Sequence, residues 1–217
     1  MQDMSNTNAI FKTFRKEYLA SREDTNLKRA TFHEEVTKAL IKEATKIVHT
    51  AKHPFYTIEM VRNLSIDVMQ VGHQYVLHDR GLLRAGLWWS VVFRIGVINN
   101  PIHLSPTLDE VLSLADSETL ITTLDSLGAH HALDKILNIT TRPTIFEPLR
   151  LEGEIIQDTL LLACLQPENY GLCTDYVRQV YTEVPNIFKL LHLKTSRRKC
   201  RSLLPDFLKY GKGHIAY

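Results

Sequence analysis

The sequence predicts an all-α fold, a compact irregular multi-helix bundle forming a single domain over residues 1–217. Three observations predict it. Apolar residues recur at steps of three and four along most of the chain, the spacing of one helix face. Caps, glycines and prolines punctuate those stripes as they do at helix ends. Hydrophobic residues make up 44% of the chain and charged ones 23%, a balance that excludes a disordered protein and supplies a core without staples.

Residues 1–8 are polar, are expected to be flexible, and lack the apolar stretch of a secretory signal. Thr31 followed by Glu34 matches a capping box. Phe32, Val36, Ala39, Leu40, Ala44 and Ile47 then form one apolar stripe, and Pro54, lacking an amide hydrogen, ends that helix. Thr57 caps the next, with Ile58, Val61, Leu64, Val68, Val71 and Tyr75 as its stripe and Gly81 as its stop. Leu82 to Ile98 is almost wholly apolar and is expected to cross the core, with Trp88, Trp89 and Phe93 dominating its packing. The β-branched residues of Val91 to Ile98 leave a strand open, and the neighbouring patterns favour a helix.

Asn99-Asn100-Pro101 reads as a turn and Ser105-Pro106 as N-cap plus first helical residue. Ser117 with Glu118 starts a short helix that Gly128 terminates in a left-handed cap. Ala129 to Asn138 makes another, and Ile139 to Phe146 a connecting loop. A long helix follows through Leu151, Ile155, Ile156, Leu160 and Leu162, apolar all round in its second half and therefore buried on all sides. Asp175 to Val184 and Pro185 to Leu193 come next. Ser196 to Leu204 and Asp206 to Tyr210 are expected as two short helices separated by Pro205.

The net charge of +2 does not make the whole molecule a partner for nucleic acid or membrane. Its distribution is more informative. Residues 100–170 hold eleven acidic side chains against three basic ones, whereas residues 194–217 hold seven basic ones against Asp206. This basic C-terminal segment comprises Lys194, Arg197, Arg198, Lys199, Arg201, Lys209 and Lys212. Several cations in one segment suit phosphate binding, because neutralising phosphates releases condensed counterions. Arginine also forks two hydrogen bonds to one phosphate, and Tyr210 and Tyr217 could stack on unpaired bases. Nucleic acid or an acidic protein surface is the partner expected. An acidic middle and a basic end could also pair between copies, giving a homo-oligomer. Basic residues that merely solvate a helix face, in an adaptor that binds no polyanion, are the competing explanation.

Cys164, Cys173 and Cys200 form no Cys-x-x-Cys pair, so neither a disulfide framework nor a structural zinc site is indicated, and a reducing intracellular setting is expected. The most apolar run, Ala85 to Ile98, is broken by Arg94 and falls short of the roughly 20 residues of a transmembrane helix. No His-Glu-x-x-His, P-loop or Gly-rich dinucleotide motif occurs, and no cofactor is expected.

One short segment points to an enzyme instead. Tyr75-Val76-Leu77-His78-Asp79-Arg80-Gly81 resembles the apolar-His-Asp-x-Gly signature of the HD-domain metal-dependent phosphohydrolases, an all-α family. The resemblance implies a metal held by an earlier histidine (His49 or His53), by His78 and Asp79, and by a later aspartate such as Asp109, Asp116, Asp125 or Asp134. One such set is His49, His78, Asp79 and Asp134. Imidazole and carboxylate ligands of this kind suit a divalent ion that activates water. Arg80 stands where that family carries an apolar residue. The reading preferred from sequence is a non-enzymatic helical interaction or assembly protein, similar in general plan to viral nucleocapsid, matrix and coat proteins.

Overall fold

The computed structural model describes residues 34–75, 79–97, 106–141, 151–174, 177 and 187–213, with side chains as far as 210. The chain divides into two compact units, Met1–Thr31 and Phe32–Tyr217. The first, with the segment 1–8 and the Thr31 cap, lies outside the described residues. Every regular element among the described residues is helical, as the sequence predicts.

Helix α1, Glu34–Ala51, opens with Glu34 and Glu35 at its positive end, where carboxylates are favoured. Its buried face is Thr37, Leu40, Ala44 and Val48. Val36, Ala39 and Ile47 are only half-buried, so the face is turned from the stripe expected by sequence. Sequence patterning treats threonine as polar, whereas Thr37 is fully buried. The helix ends three residues before Pro54, where Lys52 takes φ 48°. His53 then organises the turn. Its Nδ1 accepts from the amides of Phe55 (3.2 Å) and Tyr56 (3.1 Å), which needs a neutral imidazole. Burial depresses the His53 pKa below 6.5, consistent with that role.

Helix α2, Ile58–Gly72, is capped as expected, the Thr57 hydroxyl accepting from Met60 N at 3.1 Å. Gly81 does not stop it. The helix ends at Gly72, and Gly81 lies in the first turn of α3, Arg80–Val97. Asp79 caps α3 through Oδ1, which accepts from Leu82 N at 3.0 Å. Proximity in sequence to an apolar run hid this start, because Asp79 supplies the cap and glycine is tolerated in a first turn.

Helix α3 is the axis of the molecule and packs on α1, α2 and four later helices. Trp89, Val91, Val92 and Phe93 are fully buried, and the Trp89 and Phe93 rings lie 5.6 Å apart. Val91 to Val97 are helical, which settles the strand alternative for these residues. Arg94 is buried too, at 1% exposure, and its Nη1 donates to the Ser90 carbonyl at 3.2 Å. Gly86 permits the close approach of α6 and α7. A Cβ there would overlap Ile139 Cδ1 and stand 3.1 Å from Ile156 Cδ1.

Around this axis, α4 is Leu108–Leu112 and α5 is Ala115–Ser126. The cap of α4 is Thr107 rather than Ser105, because Thr107 and Glu110 close a reciprocal box that Ser105 and Leu108 cannot. Helix α5 starts two residues before Ser117, whose hydroxyl donates to the Leu114 carbonyl. Gly128 ends it at φ 62°, the expected left-handed position. Helix α6, His131–Thr140, runs into the segment expected as loop, and the Thr140 hydroxyl bonds back to Ile136 O at 2.8 Å.

Helix α7 is Leu151–Cys164, and residues 155–165 are buried without a break, as its all-round apolar character predicts. Pro167–Asn169 forms a 3-10 turn, residues 170–174 are helical, and Ile187–Leu190 forms a second 3-10 turn. The expected helix Asp175 to Val184 falls mostly outside the described residues, as does the turn at residues 99–101. The last element, α8, is Lys194–Gly213. It is one helix, not two, and Pro205 lies inside it on the exposed side. An exposed proline costs one ladder bond, and the carbonyl it leaves can be met by water.

Candidate functional site: the basic face of helix α8

Helix α8 packs on α7, and its Ser196, Cys200, Leu204 and Phe207 are all buried. At about 100° per residue these four share one side of the helix. Lys194, Arg198, Arg201 and Lys209 fall on the opposite side within an arc of about 80°, and Arg197 flanks them. All five are exposed. Lys194 and Lys209 are separated by roughly 22 Å along the axis, so the cations form a stripe rather than a point.

Lys199 does not belong to the stripe. It projects about 100° from Arg198 and lines a cleft of about 40 Å³ with Asp67, Gln70, Val71, Thr159, Leu162, Ala163 and Gln166. That volume holds a water or two and no organic substrate. Tyr210 lies on the same flank as Lys199, with its ring 4.9 Å from that of Tyr170. Asp206 separates it from the stripe. The side chain of Lys212 and all of Tyr217 lie outside the described residues.

The members of the stripe are not equally available. Arg197 Nε donates to the Leu191 carbonyl at 2.9 Å. The Arg201 guanidinium sits 5.8 Å from the Phe188 ring centroid. Among the described residues, no hydrogen bond or ion pair engages Lys194, Arg198 or Lys209. Position along the helix matters as much. Lys194, Arg197, Arg198, Lys199 and Arg201 all stand in its first eight residues, and its first turn carries no acid. Cations favour the C-terminal end of a helix, so the macrodipole does not explain this placement.

A buried group that the sequence expectations do not include seats the start of this helix. Asp158 of α7 is fully buried, and its carboxylate accepts from His192 N (2.9 Å) and Leu193 N (2.8 Å), immediately before α8. Its Oδ1 also lies 3.1 Å from His192 Nδ1. A buried carboxylate needs such donors, since burying it unpaired would be prohibitive. The signal was present in the sequence. An aspartate inside a helix apolar on all sides must have partners elsewhere. Glu154, one turn earlier, has its carboxyl pushed up by burial, with His192 opposing and Asp158 adding to the rise. Cys200, on the inner face of α8, is pushed up to about 11 by burial and by the nearby Asp158.

The residues of the metal reading are placed differently. Asp79 spends one oxygen on the α3 cap, and its amide donates to Glu152 Oε1 at 3.3 Å. His49 is exposed in the last turn of α1, and Asp134 is half-buried in the first turn of α6. His78 lies outside the described residues. Among the described residues no three His, Cys, Asp or Glu side chains group as a metal site. No described helix is long and apolar enough to cross a membrane.

Comparison with known proteins adds no relative. No family model, curated protein or solved structure matches this chain. The functional reading therefore rests on the geometry of α8 alone.

Proposed function

We propose that this protein is a non-enzymatic binding module whose α8 stripe contacts the phosphates of nucleic acid. One observation carries the reading: Lys194, Arg198, Arg201 and Lys209 share the outer face of one helix, with its N-terminal half charged against the macrodipole. A helix gains nothing structurally from such a placement, whereas a bound polyanion would offset both the mutual repulsion and the positive helix end. The stripe carries no aromatic residue, so the contact expected is with the backbone rather than with unpaired bases.

The test is binding of fluorescent single-stranded RNA and duplex DNA across a salt series. For the intact chain the logarithm of affinity is expected to fall linearly with the logarithm of salt. Replacing Lys194, Arg198, Arg201 and Lys209 together by alanine should reduce that slope by about 3 on single strands. Lys199→Ala, on the flank, should change it far less. No binding at low salt would sink the proposal.

Self-association is the competing use of the same charges. Asp109, Glu110, Glu118 and Asp125 are all exposed on α4 and α5, and a second copy could present them to α8. A chain that dimerises at low salt and binds neither nucleic acid would establish that alternative.

A further inference from the structure

Ser202 lies on α8 beside the stripe, about 40° from Arg198 and about 20° from Lys209 around the helix. It is exposed, and its hydroxyl donates to the Lys199 carbonyl at 2.7 Å. Four cations precede it closely, Arg197, Arg198, Lys199 and Arg201, at five, four, three and one residues before it. A segment of this kind fits a kinase whose substrate groove is acidic, because charge pattern is a principal means by which kinases choose substrates. Thr195 and Ser196 have no such run of cations before them, and Ser196 is buried.

We infer that Ser202 is a phosphorylation site for a basic-directed serine kinase, and that the phosphate switches off the α8 contact; the inference rests on the reading of α8 as a phosphate-binding stripe. In the reaction Ser202 Oγ attacks the γ-phosphorus of ATP. The Oγ–P bond forms as the bond to the β,γ-bridging oxygen breaks, the hydroxyl proton passes to the base of the kinase, and ADP departs. The product carries nearly two negative charges and three acceptor oxygens. Arg198, four residues earlier, and Lys199, three earlier, are its helical neighbours and would turn to pair with it. Asp206, four residues on, would be repelled. The stripe thus loses Arg198 to an internal partner and gains an anion against its ligand.

A kinase takes its substrate extended, so the segment must open locally before it reacts. Pro205 eases that step. It has no amide hydrogen to give the Arg201 carbonyl, so the helix is short of a bond one turn from Ser202. Cys200, Leu204 and Phe207 are the buried side chains nearest to Ser202 on this stretch.

The experiment treats the intact folded chain with a basic-directed serine kinase and ATP–Mg, and maps phosphate by mass spectrometry. A synthetic peptide of residues 192–207 is treated in parallel. Labelling of Ser202 in the folded chain, slower than in the peptide, is expected. RNA affinity at moderate salt should fall roughly tenfold, and Ser202→Ala should bind as the intact chain does and resist the kinase. A folded chain that stays unlabelled while the peptide is labelled would overturn the site. Labelling at Ser202 that leaves RNA affinity unchanged would overturn the switch. Failure of the unmodified chain to bind RNA would overturn the underlying reading of α8, and it is seen in the untreated arm.

Discussion

Asp158 shows how one residue fixes the geometry of a surface it never reaches. Its carboxylate holds the amides of His192 and Leu193 and so determines where α8 begins and which way its first turn points. Removing it strands those donors in a buried setting. Asp158→Ala is expected to cost about 2–5 kcal/mol in urea unfolding, since each of the two amides left without its acceptor carries a penalty of roughly 1–3 kcal/mol. Amide exchange should quicken first at residues 192–198. A loss below about 1 kcal/mol would mean that packing on α7, not this carboxylate, seats the helix. The same residue was legible in the sequence only as an anomaly. Nothing in the local pattern names residues 192 and 193 as its partners, because they lie 34 and 35 positions away.

At the scale of elements, α8 is where sequence patterning and structure differ most. Proline removes an amide donor and crowds the preceding turn, so two short helices are the natural expectation for residues 196–210. The continuous helix survives because Pro205 faces solvent while Cys200, Leu204 and Phe207 are held on the other side. Pro205→Ala therefore tests the architecture directly. In a continuous helix it restores one bond and should stabilise the protein by up to about 3 kcal/mol, read from the urea midpoint. If residues 196–204 and 206–210 were separate helices, the substitution would be neutral or would destabilise the turn between them. The other displaced boundaries have a common cause. Thr107 displaces Ser105, and Asp79 overrides Gly81, because a cap is decided by which side chain reaches an amide, not by residue type alone.

At the largest scale the described helices place acidic α4 and α5 and basic α8 on different partners. The exposed acids of α4 and α5 sit on helices that pack against α1, α3 and α6, whereas the basic α8 packs on α7. All three cysteines are buried within this frame. Burial pushes the Cys164 thiol well above 9.0 and Cys200 to about 11, so neither forms appreciable thiolate at neutral pH. Native protein at pH 7.5 should accordingly react with a thiol reagent at Cys164 and Cys200 only as fast as it unfolds. The labelling rate should rise with urea in step with the loss of helical circular dichroism. Prompt modification of Cys200 in native buffer would show that α8 leaves α7 far more readily than its packing implies.

By itself the sequence determined the helical class, the core-crossing run that begins at Leu82 and the all-round burial of α7, since each follows from an apolar pattern that is strong within its own segment. It also named the basic residues, because charge is a property of composition. What only the tertiary structure decided is their arrangement. Whether Lys199 joins Arg198 or turns away depends on which side of α8 is pressed against α7, and that contact joins segments far apart in the chain. The facing of a helix is fixed by its partner, through burial of Ser196, Cys200, Leu204 and Phe207 and through the hold of Asp158 on the residues before it.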